Sequence, residues 1–137
     1  MRNTFHLIVL FGILPGCAGA LTYQLRGSSL APAADAQITA KVDPSRNLTK
    51  LDIDASHLTP PERVLSNGTA YLVWARRNDT IPWTRLGALA LSDEGRAGKA
   101  TLTVSELEFD MQVSAETSVE VASPSGKLVF EQRVTDD

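Results

Sequence analysis

The chain has 137 residues, a formal charge of −3, 43% apolar residues and one cysteine. That allows one domain plus a leader, with enough chain to bury a core without disulfides, since a domain of about 100 residues buries roughly 60–70% of its surface. The basic residues are scattered, Arg76-Arg77 being the one adjacent pair, so a mildly acidic chain like this lacks the cationic face that nucleic-acid binding requires.

The N-terminus reads as an export signal. Arg2 supplies a positive start, and Leu7-Ile8-Val9-Leu10-Phe11-Gly12-Ile13-Leu14 supplies a short apolar run. A run this short is far below the roughly 20 apolar residues that span a bilayer. Two cuts are open. Leu14-Pro15-Gly16-Cys17 resembles the lipobox of bacterial lipoprotein precursors, except that Pro15 stands where that family has a small or aliphatic residue. The resemblance implies diacylglyceryl transfer to Cys17, removal of residues 1–16 and a stable anchor through three acyl chains. Ala18, not Asp, follows the cysteine, which in the family pattern favours the outer membrane. Ala18-Gly19-Ala20 offers the alternative, cleavage before Leu21 and a soluble periplasmic or secreted product.

Residues 17–36 are mostly small and polar, with Gly27-Ser28-Ser29 and Pro32-Ala33-Ala34-Asp35. They read as a lipid-anchored flexible tether, the alternative being an extra strand near residues 21–25. The domain itself is expected over 37–137. Residues 37–43 and 47–55 alternate apolar and polar, through Ile38, Ala40 and Val42 and through Thr49, Leu51 and Ile53. Pro60-Pro61 makes 57–65 a crossover. Ala70-Tyr71-Leu72-Val73-Trp74-Ala75-Arg76 is the organising strand, bracketed by Asn67-Gly68 and by Arg77-Asn78-Asp79. Tyr71 and Val73 should face one side, Leu72 and Trp74 the other, with Trp74 between two sheets. Residues 83–91 form the next strand, with Gly87 marking a bulge or a close approach. Residues 99–104, 110–116 and 128–135 complete the alternation, separated by turns at 92–98 and 124–126; residues 105–109 fit one helical turn. Seven or eight short strands without a helical stretch predict an all-β, two-sheet antiparallel sandwich of the immunoglobulin kind.

Gly68-Thr69-Ala70-Tyr71-Leu72-Val73-Trp74-Ala75, Leu86-Gly87, Val113-Ser114-Ala115-Glu116 and Pro124-Ser125-Gly126 resemble the C-terminal extracytoplasmic domain of anti-sigma-K factor-like proteins over residues 38–134. The resemblance implies an exported β-sandwich without catalytic residues. The family's cytoplasmic helical domain and its membrane helix have no counterpart here, so anti-sigma activity is not carried over.

Beyond the leader, His57 is the one histidine, which leaves little material for catalysis. Glu106, Glu108 and Asp110 alternate along one segment. A glycosidase pair must instead converge across roughly 5–10 Å, so these read as a solvated, aggregation-resistant edge. A small hydrolase using Glu106, Asp110 and His57 is the competing reading. Asp52, Asp54, Asp79 and Asp93-Glu94 lack a calcium-loop spacing. No cofactor or metal is expected. The contact residues expected for a ligand or partner are Trp83, Arg76 and Tyr71. The sum is a lipid-anchored, non-catalytic binding or structural module of the cell envelope.

Overall fold

The computed structural model describes residues 19–136. The leader, Cys17 and the start of the Ala18-Gly19-Ala20 site lie outside the described residues. The chain runs β1 (Ala20–Arg26), β2 (Asp35–Asp43), β3 (Leu48–Ser56), α1 (Pro61–Val64), β4 (Ala70–Arg76), β5 (Thr84–Ala88), β6 (Ala90–Leu91), β7 (Gly98–Val104), β8 (Phe109–Glu116) and β9 (Leu128–Val134). One sheet has the order β1-β2-β3-β7-β6, the other β5-β4-β8-β9, and every pairing is antiparallel. This is the predicted sandwich. Reading β2, β3, β7 and β6 as the A, B, E and D strands, and β4, β8 and β9 as C, F and G, reproduces the immunoglobulin order, with β5 added beside C and β1 added outside A.

Alternation fixes which side chains meet. Ile38 and Ala40 of β2, Leu51, Ile53 and Ala55 of β3 and Val104 of β7 point inward from the first sheet. They meet Tyr71, Val73, Met111, Val113, Phe130 and Val134 from the second. The register carries the same parity across the first sheet: Tyr23 lies opposite Ile38, Ile38 opposite Ile53, and Ile53 opposite Ala100. The outer face of that sheet is polar, with Gln37, Asp54 and Lys99 on one rung.

Four expectations are corrected. Residues 20–36 are not a tether. β1 pairs with β2 over its whole length, turning Leu21, Tyr23 and Leu25 toward the core. Two small residues of the following loop are buried: Ala31 and Ala34 are at most 2% exposed. Ser28 then closes one side of the sandwich. Its amide donates to the Val129 carbonyl at 2.9 Å and its hydroxyl to the Leu128 carbonyl at 2.8 Å. The Tyr23 hydroxyl donates to the Thr135 carbonyl at 3.0 Å and accepts from the Thr135 amide at 3.2 Å.

The strand expected over 83–91 is two strands in different sheets. A register shift between Val73 and Trp74 bulges β5 at Leu86. The buried Leu89 donates its amide to the Tyr71 carbonyl at 2.9 Å, and β6 then pairs with β7. Gly87 lies close to the first sheet at this crossing: a Cβ there would lie 2.8 Å from Leu102 Cδ2, the movable end of a side chain.

The single helical turn falls at 61–64, not at 105–109. Pro61 pre-sets its first position, and the Leu65 amide closes it on the Pro61 carbonyl at 3.0 Å. The carbonyls of Ser105 and Glu106 are instead taken by Asn47 Nδ2 at 3.4 Å and Thr49 Oγ1 at 2.7 Å.

Trp74 does not lie between the sheets. Tyr71, Val73 and Ala75 belong to the inter-sheet core, while Leu72 and Trp74 face away from it. Both are nonetheless fully buried. Residues 117–127 cross this outer face as a strap, held where Arg85 Nη1 donates to the Val121 carbonyl at 2.7 Å and the Ser125 amide donates to Glu116 Oε2 at 3.0 Å. Under the strap, Trp74 Nε1 donates to Ser114 Oγ at 2.9 Å, and Ser114 donates to Glu116 Oε2 at 2.6 Å.

Candidate functional site: the cleft beside Arg76 and Trp83

The end of the sandwich where β1 begins also holds the β2–β3 turn, the loop from β4 to β5, the loop from β7 to β8 and the end of β9. A cleft of about 540 Å³ opens there between the sheets, lined by residues 75–77, 84–86 and 103–106 with Ile81. Two of its three arginines, Arg76 and Arg77, come from adjacent positions of β4 and the loop after it, so they point to opposite sides; the third, Arg85, is on β5. Arg76 continues the outer face of Leu72 and Trp74, and its guanidinium carbon lies 4.2 Å from the centre of the Trp83 ring. Arg76 Nε also reaches Asp110 Oδ2 at 3.3 Å, and Arg133 Nη1 approaches Asp110 Oδ1 at 3.2 Å. Arg133 Nη1 further donates to the Arg77 carbonyl at 2.7 Å, tying β9 to the loop.

Arg77 forms a two-point pair with Glu106, Nε to Oε2 at 3.1 Å and Nη2 to Oε1 at 3.0 Å. These hydrogen bonds, and then the charge of Glu106, raise the guanidinium pKa further. A planar cation paired in this way is preorganised and needs little further ordering to meet a carboxylate or phosphate. At the neighbouring turn, the Ser45 hydroxyl donates to Asp43 at 2.6 Å. That bond, more than Arg46 beside it, holds the exposed Asp43 carboxyl below its ordinary range.

The structure therefore brings Arg76 and Trp83 into contact, and neither signal in the sequence required it: the two lie on different sides of a seven-residue interval. Tyr71 is not with them. It is fully buried in the inter-sheet core, and its hydroxyl donates to the Thr59 carbonyl. Strand alternation sends it inward while Arg76 goes outward, which removes Tyr71 as a surface contact. Its role is to hold the crossover at Pro60-Pro61. Burial, with a smaller effect from the Glu62 charge, pushes its phenol from 10.0 up to about 12. The folded state thus keeps a proton that the unfolded chain has released. Stability from this source is complete below about pH 10 and is lost as the pH rises toward 12. Tyr71→Phe should cost about 1 kcal/mol at neutral pH and should flatten the alkaline limb of stability. Urea midpoints of both proteins across that limb check it; parallel limbs would contradict the assignment.

His57, Glu106 and Asp110 do not converge. His57 follows β3 at the far end, with φ 54°, and its Nδ1 lies 3.1 Å from Asp35 Oδ2. Glu106 follows Val104, which pairs with Thr49, whereas Ala55 pairs with Gly98. Six residues of strand, about 20 Å, separate the two ends. The carboxylates of the proposed edge are engaged: Glu106 by Arg77, Asp110 by two arginines, and Glu108 by the Thr135 hydroxyl at 3.4 Å. Asp52 accepts from the Thr101 hydroxyl at 2.7 Å, and Asp54 pairs with Lys99 at 3.8 Å. Among the described residues, no group of three or more His, Cys, Asp or Glu is placed to hold a metal ion. No helix among them is long and apolar enough to cross a membrane.

The residue the sequence reading missed is Glu116, only 2% exposed with Ser114 and Ser125 as its partners. The signal was present: Gln112, Ser114 and Glu116 alternate along β8 on the face shared with Trp74. An apolar and a polar face that are both buried look like one solvated face in a sequence. Fold and site together define an immunoglobulin-like sandwich with an arginine-rich cleft at one end and, across Arg76 on the outer face, a second hollow of about 380 Å³ lined by Trp83, Asp110 and Arg133. Comparison with family models, with curated proteins and with solved structures gives no match to this chain.

Proposed function

We propose that the chain is a lipid-anchored, non-catalytic module of the bacterial cell envelope, held through Cys17 and offering the Arg76–Trp83 end to an envelope ligand or partner. The observation that carries the binding part is the Arg76–Trp83 stack, which with Asp110 and Arg133 lines a hollow of about 380 Å³ on the outer face. Such a site presents a flat cation and an aromatic face in one geometry, which lowers the ordering cost of binding. The anchoring part rests on Leu14-Pro15-Gly16-Cys17, and the resemblance of residues 38–134 to exported sandwich domains agrees with it.

The intact mass of the mature protein from membrane and soluble fractions tests the anchor. A membrane species beginning at Cys17, heavier by its acyl chains and absent in Cys17→Ser, is expected. A soluble species beginning at Leu21 would replace the anchored reading with a secreted one; that product would keep β1 apart from its first residue.

A further inference from the structure

Resting on that anchored reading, we infer that the cleft-bearing end of the sandwich lies against the bilayer surface, with Ile81, Pro82 and Trp83 at the level of the lipid headgroups. The geometry follows from β1. Only Ala18 and Gly19 separate Cys17 from Ala20, the first residue of the strand. Three residue steps span at most about 10 Å, and a headgroup layer is itself roughly 5–8 Å thick. A tether of some twenty residues would leave orientation free. Two residues leading into a strand paired from its first residue hold that end of the sandwich close to the anchor.

The surface at that end fits the contact. Ile81 is 37% exposed, Pro82 is exposed, and Trp83 is half-buried beneath Arg76. Tryptophan with an apolar body and a polar edge suits the membrane interface. Lys41 lies opposite Ala20, and Lys50 opposite Lys41, so two exposed lysines share the rung nearest the anchor. Asp79, Glu108 and Asp136 are exposed at the same end, so the face is mixed in charge, and the Ile81-Pro82 step rather than net charge makes the contact. The cleft then opens toward the lipid surface.

The test uses the full-length protein purified from membranes and reconstituted into phosphatidylethanolamine–phosphatidylglycerol vesicles, some with lipids brominated near the headgroup end of the acyl chain. Ile81→Cys and Glu94→Cys are each labelled with a polarity-sensitive fluorophore. Position 94 sits in the exposed β6–β7 turn at the opposite end, and an acylated Cys17 takes no label. A blue shift and bromine quenching at 81, with neither at 94, are expected. Lipidated protein, verified by mass, that shows no shift at 81, or equal shifts at both, overturns the orientation and leaves the anchor standing. Protein that carries no lipid by mass removes the anchor, and the orientation falls with it.

Discussion

Gly27→Ala should destabilise the protein by about 3 kcal/mol, at the upper end of what overpacking costs. A Cβ at position 27 would overlap the Ala31 carbonyl oxygen and lie 3.0 Å from the Ala34 Cβ. The Gly27 amide also donates to the Ala34 carbonyl at 2.7 Å, closing the loop between β1 and β2. The obstacle is backbone on one side and a buried alanine on the other, so no side-chain rotation relieves it. Ser28 next to it holds β9, so the disturbance should reach the far sheet. The substitution separates two pictures of the N-terminal region. In a tether it would be silent, because the residue would be equally unconstrained in the folded and unfolded states. Urea unfolding of the variant, with Ser29→Ala as an exposed neighbouring control, measures it. A change below about 0.5 kcal/mol would return residues 20–36 to a tether and remove the short link on which the membrane orientation depends.

Residues 20–36 look like a tether in sequence for physical reasons. Leu21, Tyr23 and Leu25 do alternate, but they are three apolar positions followed by Gly, Ser, Ala and Pro. Small residues are equally at home in a solvated linker and in a loop squeezed between two sheets. What distinguishes the cases is the partner: Ser28 and Tyr23 satisfy backbone groups of β9 about a hundred positions away, and no local pattern carries that. The interior strands were legible because both of their signals agreed. β2, β3 and β7 alternate cleanly and are punctuated by Pro44 after β2, Asn47 before β3 and Gly98 at the start of β7. Gly87 is legible as a bulge or a close approach; it makes the close approach, and the bulge falls on the adjacent Leu86. The change of sheet at Leu89 was not, since β5 and β6 are continuous in hydropathy and differ only in which strand they meet.

The candidate site was legible in part. Arg76 and Trp83 could be named from an adjacent cation pair and a Pro-preceded tryptophan near a turn. Asp110 and Arg133, which fix Arg76 and the loop, could not be assigned, because they come from β8 and β9 and meet only across the rung where Asp110 lies opposite Arg133. Tyr71 failed for a simpler reason. In a strand whose two faces are both apolar, residue type does not tell which face meets the other sheet and which meets a strap.

That ambiguity sets the second large effect. Trp74→Ala should cost about 3–5 kcal/mol, a fall in Tm of roughly 10–20 °C for a domain of this size. Trp83→Ala should cost less than about 1 kcal/mol, since Trp83 is half-buried and outside the core. The two parts of the Trp74 effect can be separated. Trp74→Phe keeps most of the ring but loses the Nε1 donation to Ser114, worth about 1 kcal/mol. The remainder is a void beneath residues 117–127. Near its middle the strap is tied by the Ser125 amide and hydroxyl, which bond Glu116 and the Ala115 carbonyl, and by the Val121 carbonyl on Arg85; at its ends the Thr117 carbonyl accepts from the Thr69 hydroxyl and the Lys127 carbonyl from the Ala115 amide. With the indole gone, Ser114 loses its donor and Glu116 keeps its two partners, so the strap should loosen before it detaches. Limited proteolysis should therefore cut Trp74→Ala within residues 117–127 under conditions that leave the rest of the sandwich intact. Glu116→Ala should cut at the same place, because it removes the acceptor for the Ser125 amide directly. If Trp74→Ala instead unfolds as a whole with the strap still protected, Trp74 supports the inter-sheet core. The outer face of β4 would then not be the separate buried layer that its hydrogen bonds describe.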